Sequence, residues 1–183
     1  MSITARVPES TARPPWSLRG SEYFEIDSSA VGGTMAVGIW QLPEQFHAFY
    51  AKANLPMPKP KVVYVLDASV ALASAACVCT MQSADIIRPG FSPLLLVGLD
   101  YVEGRLNART RDYVPVNAVP ESMMKMLEGQ PAEFHPGGAD RFLEFLETEL
   151  EPWIRQRYDV DNGPAGILGD SFGGTHAGRV EAV

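Results

Sequence analysis

The sequence has few of the residues that build disulfide frameworks or metal sites. Only two of its 183 residues are cysteines and only three are histidines. Cys77 and Cys79 are separated by one residue, a spacing that suits neither a disulfide framework nor a zinc motif, and no second Cys/His pair lies near them in the sequence. We therefore interpret both as small apolar side chains in a reducing compartment, which predicts a cytoplasmic protein without a metal.

Long apolar runs and an excess of basic residues are also absent. The longest run of low polarity, Ala68 to Met81, is shorter than the ~18–20 residues that a membrane span needs. Fifteen Lys and Arg against 22 Asp and Glu give a net charge of −7, which argues against a nucleic acid or a membrane surface as partner. The start of the chain shows no apolar segment of signal-peptide length, and we expect residues 1–20 to form a flexible arm.

The apolar pattern of the remaining chain predicts an α/β fold with a mostly parallel sheet. Two alternating runs joined by Gly32-Gly33 predict an antiparallel hairpin, whereas the continuous apolar run KVVYVLD predicts a strand that is buried on both faces. The element order is a hairpin followed by alternating strands and helices. The predicted strands are 21–27, 34–42, 61–67, 93–100 and 166–169, and the predicted helices are 68–84 and 138–157, with short helices at 44–53 and 119–128 and a break near Pro152.

One motif carries recognisable chemistry. Residues Gly169 to Gly173 read GDSFG and fit G-x-S-x-G, the sharp turn between a strand and a helix that exposes a nucleophilic serine. Ser171 would be the nucleophile, Gly169 and Gly173 would leave room for the tight backbone, and the amide of Phe172 would face the developing oxyanion. The alternative is a glycine-rich turn in which Ser171 only caps the following helix.

A second oxyanion donor is expected from the turn Asp67-Ala68-Ser69, which follows the strand KVVYVLD. Parallel strands end at the same edge of a sheet, so this turn and Ser171 should lie on that edge together. The alternative role for Asp67 is to cap the helix that follows, and the two roles are compatible.

The sequence resembles the putative-esterase branch of the α/β-hydrolase superfamily, which includes siderophore esterases of the enterochelin-esterase type, esterase D and the mycolyltransferases. The resemblance runs in order along about 160 residues and is most specific in the RTRDYVP and GGADRFLEFLETELEPWI segments. The matching segments are YVLD (64–67), LLLVGLDY (94–101), RTRDYVP (109–115), GGADRFLEFLETELEPWI (137–154) and GDSFGG (169–174).

This resemblance implies a serine hydrolase with Ser171 as nucleophile and the amides of Ser69 and Phe172 as oxyanion donors. The sequence departs from the family pattern at two positions, with Ala68 where the family usually has Gly and Asp170 where it usually has His. The resemblance also implies three further strands after the elbow that carry the catalytic acid and histidine. We therefore expect residues 21–183 to be a partial α/β-hydrolase domain that lacks its C-terminal strands.

The residues needed to activate the serine are scarce after Ser171. His176 and Glu181 follow it, and both fall on the helix that starts at the elbow, where His176 points away from the serine hydroxyl. His47 and His135 lie in loops that precede the serine and are more typical of solvated loop histidines. Arg109 and Arg111 either bind an acidic part of the substrate or fix their loop by an ion pair with Asp112.

The sequence and its resemblance thus predict a carboxylic ester hydrolase of the siderophore-esterase-like type, which acts on a small-molecule ester through Ser171 without a cofactor or metal. Two alternatives stay open. The same site would serve acyl transfer to an alcohol instead of water, and a chain without its acid and histidine would retain binding capacity only.

Overall fold

Strands of both orientations form one six-stranded sheet in the computed structural model, which describes residues 4–6, 18–43, 50–83, 92–102 and 108–177. The sheet order is β1-β2-β3-β5-β4-β6, in which β4 is parallel to both β5 and β6 and the other pairs are antiparallel. The strands are β1 Thr4–Arg6, β2 Ser21–Ser28, β3 Gly33–Trp40, β4 Lys61–Leu66, β5 Leu94–Tyr101 and β6 Gly166–Leu168. The predicted α/β class, the hairpin and the parallel pairing of β4 are confirmed. The expectation of a mostly parallel sheet is wrong for the described strands, because three of their five pairs are antiparallel: the hairpin joins β5 in antiparallel orientation, and β1 extends it in the same way.

Helices cover the sheet and follow the predicted order. The longest helical stretch begins as α4, passes through a π-helical turn at Phe145–Leu150 and ends as α5, so the irregularity predicted near Pro152 lies just before that proline. The helices are α1 Ala68–Ser83, α2 Ala108–Tyr113, α3 Glu121–Leu127, α4 Ala139–Glu144, α5 Glu151–Arg157 and α6 Phe172–Ala177.

Two elements differ from the sequence prediction. Residues 1–20 were expected to form an arm, yet Thr4–Arg6 pairs with β2 as an edge strand. Between the predicted strand 93–100 and the predicted helix 138–157, only the short helix 119–128 was expected, yet α2 also lies there. Its Asp112 is buried and accepts hydrogen bonds from Arg111 and Tyr101. Its Arg109 donates to Asp67, 42 positions earlier in the chain, a contact that local propensity does not encode. Of the short helix predicted at 44–53, residues 50–52 are helical and 44–49 lie outside the described residues.

The main core lies between the sheet and the helical stretch 139–157. The helical stretch buries one side at three- and four-residue steps, as an amphipathic helix packed on a sheet does. The residues on this side that are buried with the strand residues are Phe142, Phe145, Leu146, Leu150 and Ile154. A buried carboxylate at Glu149 joins this helix to the hairpin turn, where it accepts hydrogen bonds from Ser29 and Ala30. Among the described residues, no helix combines the length and the apolar character that crossing a membrane requires.

Two strand glycines let α1 approach the opposite face of the sheet. A Cβ atom on Gly98 would lie 2.7 Å from the Cβ of Ala68 and 2.8 Å from a methyl carbon of Leu72. At Gly38 the nearest atom, a Leu72 methyl carbon, would be 2.9 Å away. The close packing at Gly98 fixes the first turn of α1, and with it the position of Ser69.

We predict that Gly98→Ala destabilises the fold by about 1–3 kcal/mol, because the added methyl group overlaps the Cβ of Ala68, which cannot rotate away. Gly166→Ala is the matched control, since its Cβ would meet the nearest atom of Val63 at an ordinary 3.6 Å. Urea unfolding followed by circular dichroism measures both variants. Equal stability of the two would contradict the close packing of α1.

Candidate active site

The GDSFG segment forms a sharp turn between β6 and α6, as the motif predicts. Ser171 has φ of 55°, a left-handed backbone conformation that is strained for a residue with a side chain. Gly169 is required by space, because a Cβ there would lie 2.4 Å from the carbonyl carbon of Gly173. Ser171 is exposed, and α6 begins at the next residue, Phe172. The turn therefore has the geometry of a nucleophile elbow.

The turn between β4 and α1 lies on the same edge of the sheet. The parallel pairing of Val65 with Leu168 brings the ends of β4 and β6 side by side. Asp67, the first residue after β4, also has φ of 55°. Gly173 lies against this turn, since a Cβ there would be 3.3 Å from the Cβ of Leu66 and 3.4 Å from Oδ2 of Asp67. The two turns therefore lie together on one edge of the sheet, as the sequence analysis predicts from the parallel strands.

The Ser69 amide, the second predicted oxyanion donor, is bound to a carboxylate. It donates a hydrogen bond to Oδ2 of Asp100 at 2.7 Å. Asp100 lies near the end of β5 and also accepts from the amide of Tyr101 at 2.9 Å. Its negative charge lies at the positive N-terminal end of the α1 dipole. The side chain of Asp100 therefore caps α1, a role that the sequence analysis had suggested for Asp67.

The side chain of Asp67 is engaged elsewhere. Its Oδ2 accepts a hydrogen bond from Nη2 of Arg109 at 2.7 Å, and the guanidinium carbon of Arg109 lies 5.6 Å from the centroid of the Phe172 ring. Arg109 also lines the cavity that contains Ser171.

Arg111 occupies a different place from Arg109. Its Nε and Nη2 donate to the two carboxylate oxygens of Asp112 at 2.6 and 2.8 Å, and Asp112 is almost fully buried. Arg111 lines a separate cavity together with His135 and Arg141. Its placement favours the loop-fixing ion pair over contact with a substrate at Ser171.

A large cavity of about 1050 Å³ borders Ser171. One end is polar, with Asp67, Asp100, Arg109 and Asp170 near the two turns. The rest is mostly apolar and runs between α1 and the strands β4 and β6. Its apolar lining includes Val63, Val70, Val78, Leu94, Leu96 and Ile167. The space can hold a bulky ester with its reacting group at the polar end.

Neither histidine that the structure describes shares this cavity with Ser171. His176 is buried in α6, with its ring centroid 5.1 Å from that of Phe142 and 6.2 Å from that of Tyr113. His135 lies in the other cavity, with Nε2 3.0 Å from the carbonyl oxygen of Gln130. The expectation that His176 points away from the serine agrees with this burial. His47 and Glu181 lie outside the described residues.

Two tyrosines lie near the polar end of the cavity: Tyr101 lines it, and the fully buried Tyr113 lies beside Tyr101, with the ring centroids 6.1 Å apart. Burial raises the pKa of Tyr113, and the negative charges of Asp67 and Asp100 raise it further. Burial is also the largest cause of the raised pKa of Tyr101, whose hydroxyl donates to Asp112 at 3.1 Å. Both hydroxyls therefore stay protonated at neutral pH. Among the described residues, no cluster of His, Cys, Asp and Glu is arranged to hold a metal ion.

Comparison with known families identifies the chain. The family described as "Putative esterase" matches residues 28–177, which is most of the chain and includes both turns of the site. The chain therefore belongs to the putative esterase family, as the sequence resemblance implied.

Its relatives include siderophore esterases. The chain is 30% identical over 135 residues to the ferri-bacillibactin esterase BesA of Bacillus subtilis, a match that covers 70% of this chain and 45% of BesA. An IroE-like serine hydrolase from Shewanella oneidensis is 27% identical, with a TM-score of 0.63 and coverage of 86% of this chain and 44% of that one. The BES protein from Bacillus cereus shares the fold, with a TM-score of 0.67 at 24% identity, covering 91% of this chain and 59% of that one. The chain spans about half the length of the curated relatives it matches.

Sequence reasoning missed Asp100 as a part of this site. The residue stands at the end of the predicted strand 93–100, where the apolar pattern gives it no role beyond ending the run. A signal was present, because β5 was expected to lie in the same parallel sheet as the strand before Ser69. In such a sheet, a carboxylate at the end of β5 faces the first turn of α1, the helix that follows the neighbouring strand β4.

We predict that Ser171→Gly is more stable than Ser171→Ala by about 1 kcal/mol, because glycine adopts the left-handed conformation without a steric penalty. Both variants lack the hydroxyl group, so their difference isolates the backbone strain. The measurement is the free energy of unfolding in urea. An alanine variant as stable as the glycine variant would mean that the turn is not strained in solution.

Proposed function

We propose that this chain carries the nucleophile and the oxyanion site of a serine esterase, with Ser171 attacking the carbonyl carbon of a small-molecule carboxylic ester. The observation that carries the proposal is the left-handed Ser171 between β6 and α6, with Gly169 and Gly173 in close backbone contact. A helix-capping serine has no need of this strain, whereas an exposed nucleophile above a sheet depends on it.

In the proposed reaction the Ser171 oxygen forms a bond to the ester carbonyl carbon, and the hydroxyl proton passes to a general base. The carbonyl oxygen becomes an oxyanion, which the amide of Phe172 at the start of α6 is placed to stabilise. Collapse of this intermediate breaks the bond to the alcohol oxygen, which takes the proton from the base and leaves as the alcohol, while the acyl group stays on Ser171. Water then hydrolyses the acyl group to the carboxylic acid and restores the serine hydroxyl. The general base stays unassigned, since the described histidines lie away from the cavity.

The substrate class follows from the relatives and the cavity. BesA is named as a ferri-bacillibactin esterase, and the cavity of about 1050 Å³ beside Ser171 has room for a bulky ester. We propose a siderophore-type ester as substrate. Acyl transfer uses the same site and is distinguished by product analysis with an added alcohol acceptor.

The nucleophile is tested by labelling the purified chain with a fluorophosphonate probe, alongside Ser171→Ala. We expect labelling of the parent and its loss in the variant, because the probe bonds to an activated serine hydroxyl. Ser74→Ala is the matched control, since Ser74 lines the same cavity but stands within α1.

Equal labelling of parent and Ser171→Ala would refute the nucleophile. Labelling without turnover of p-nitrophenyl acetate would favour a chain that binds and reacts once but lacks the groups for a full cycle. Turnover that rises when an alcohol is added, with the ester of that alcohol as product, would favour the acyltransferase.

The Ser69 amide serves as second donor only when Asp100 releases it. We predict that Asp100→Asn raises the rate of labelling at Ser171, because a neutral amide oxygen holds the Ser69 N–H less tightly than a carboxylate and adds no charge against the oxyanion. Asp161→Asn is the control, since Asp161 likewise accepts a backbone hydrogen bond, from Gly163 at 2.7 Å, in another part of the fold. A lower rate in Asp100→Asn alone would show that the carboxylate supports the donor rather than competing for it.

A further inference from the structure

Arg109 contacts both turns that border the candidate active site. It belongs to α2 and to neither turn. Its Nη2 donates to Asp67, which follows β4, and its guanidinium lies over the ring of Phe172, which follows Ser171. The side chain of Arg109, which lies in α2, therefore links Asp67 in the β4–α1 turn to Phe172 in the turn of the candidate nucleophile.

The same carboxylate oxygen of Asp67 is shared between the two turns. Oδ2 receives the Arg109 hydrogen bond and also lies beside Gly173, where an added Cβ would approach it to 3.4 Å. Asp67 thus packs against the first turn of α6, and its carboxylate charge is paired with Arg109. The contact is lost if either the ion pair or the left-handed Asp67 backbone changes.

Two amides can stabilise one oxyanion only if both point at the same oxygen from about 2.7–3.1 Å. Here the amides of Ser69 and Phe172 come from separate turns, each with a left-handed residue at φ 55° that persists only when its surroundings hold it. We propose that Arg109 is a positioning residue, which sets the separation of these two amides by holding Asp67 and Phe172 together. The inference rests on the proposed function.

The guanidinium group suits this role better than an ammonium group would. It is planar and carries several donors, so it hydrogen-bonds a carboxylate at its edge while its face covers an aromatic ring. A lysine at position 109 would keep the charge opposite Asp67 but would lose the stacked contact with Phe172. Arg109→Lys should therefore loosen the elbow more than the β4–α1 turn.

The first test needs no catalysis. Amide hydrogen exchange is measured by NMR in the full chain and in Arg109→Met. We expect faster exchange in both turns, at residues 67–70 and 170–173, by a similar factor in each. Arg157→Met is the matched control, because Arg157 also combines a carboxylate, Glu22 at 4.0 Å, with an aromatic ring, Phe24 at 4.8 Å, on another part of the fold.

The second test separates positioning from substrate binding. We expect fluorophosphonate labelling at Ser171 to fall by about ten- to a hundredfold in Arg109→Met, as for other losses of alignment at a reacting centre. Turnover of a neutral and an anionic ester should fall equally through kcat, with little change in KM. The double variant Arg109→Met/Asp67→Asn should be no slower than Arg109→Met, because both changes break the same contact.

Unchanged exchange in both turns of Arg109→Met would overturn the proposal, whatever the activity. A loss confined to the anionic ester and expressed in KM would overturn it too and would make Arg109 a substrate contact. If the parent chain is not labelled at Ser171, the proposed function fails, while the exchange measurement still decides whether Arg109 holds the turns. Should Arg109→Met fail to fold, Arg109→Lys gives the same comparison at the elbow.

Discussion

The parallel pairing of β4 with β6 is the constraint on which the site depends. It aligns the ends of the two strands, so that Asp67 and Ser171, both left-handed, stand on one edge of the sheet. Neither conformation is favourable for a residue with a side chain, and each is maintained by tight packing around it. Gly173 supplies that packing at the junction, because its missing side chain lets α6 rest directly on the β4–α1 turn.

The N-terminus of α1 links this backbone geometry to electrostatics. Gly98 allows α1 to lie close to β5, and the same strand then places Asp100 against the first turn of the helix. The strand β5 therefore sets both the distance between α1 and the sheet, through Gly98, and the hydrogen-bond acceptor of the Ser69 amide, through Asp100. A carboxylate at a helix N-terminus is stabilising, so the hydrogen bond from Ser69 to Asp100 stabilises the fold. The same hydrogen bond occupies the amide that the proposed reaction needs as its second oxyanion donor.

The sequence predicted the parts of the site that depend on local pattern. Continuous β-branched residues indicated β4, and the glycine spacing around Ser171 indicated the elbow, because both requirements act within a few neighbouring residues. The contacts of Asp100 and Arg109 were not predictable in this way, since they join residues 31 and 42 positions apart in the chain. The strand Thr4–Arg6 and the helix Ala108–Tyr113 were not predicted for the same reason: the strand pairs with β2, and Arg109 of the helix binds Asp67.

Three aspartates surround a site that is proposed to stabilise negative charge. How far their charges oppose the oxyanion depends on the groups that surround each carboxylate. Asp67 is paired with Arg109, and Asp100 faces the positive end of α1. Asp170 is exposed, so water screens its charge. Each carboxylate is thus balanced in a different way, and the field at Ser171 depends on how these side chains are held more than on their number. Arg109 matters most in this balance, because its loss would leave Asp67 uncompensated beside α6 and would release the elbow in the same step.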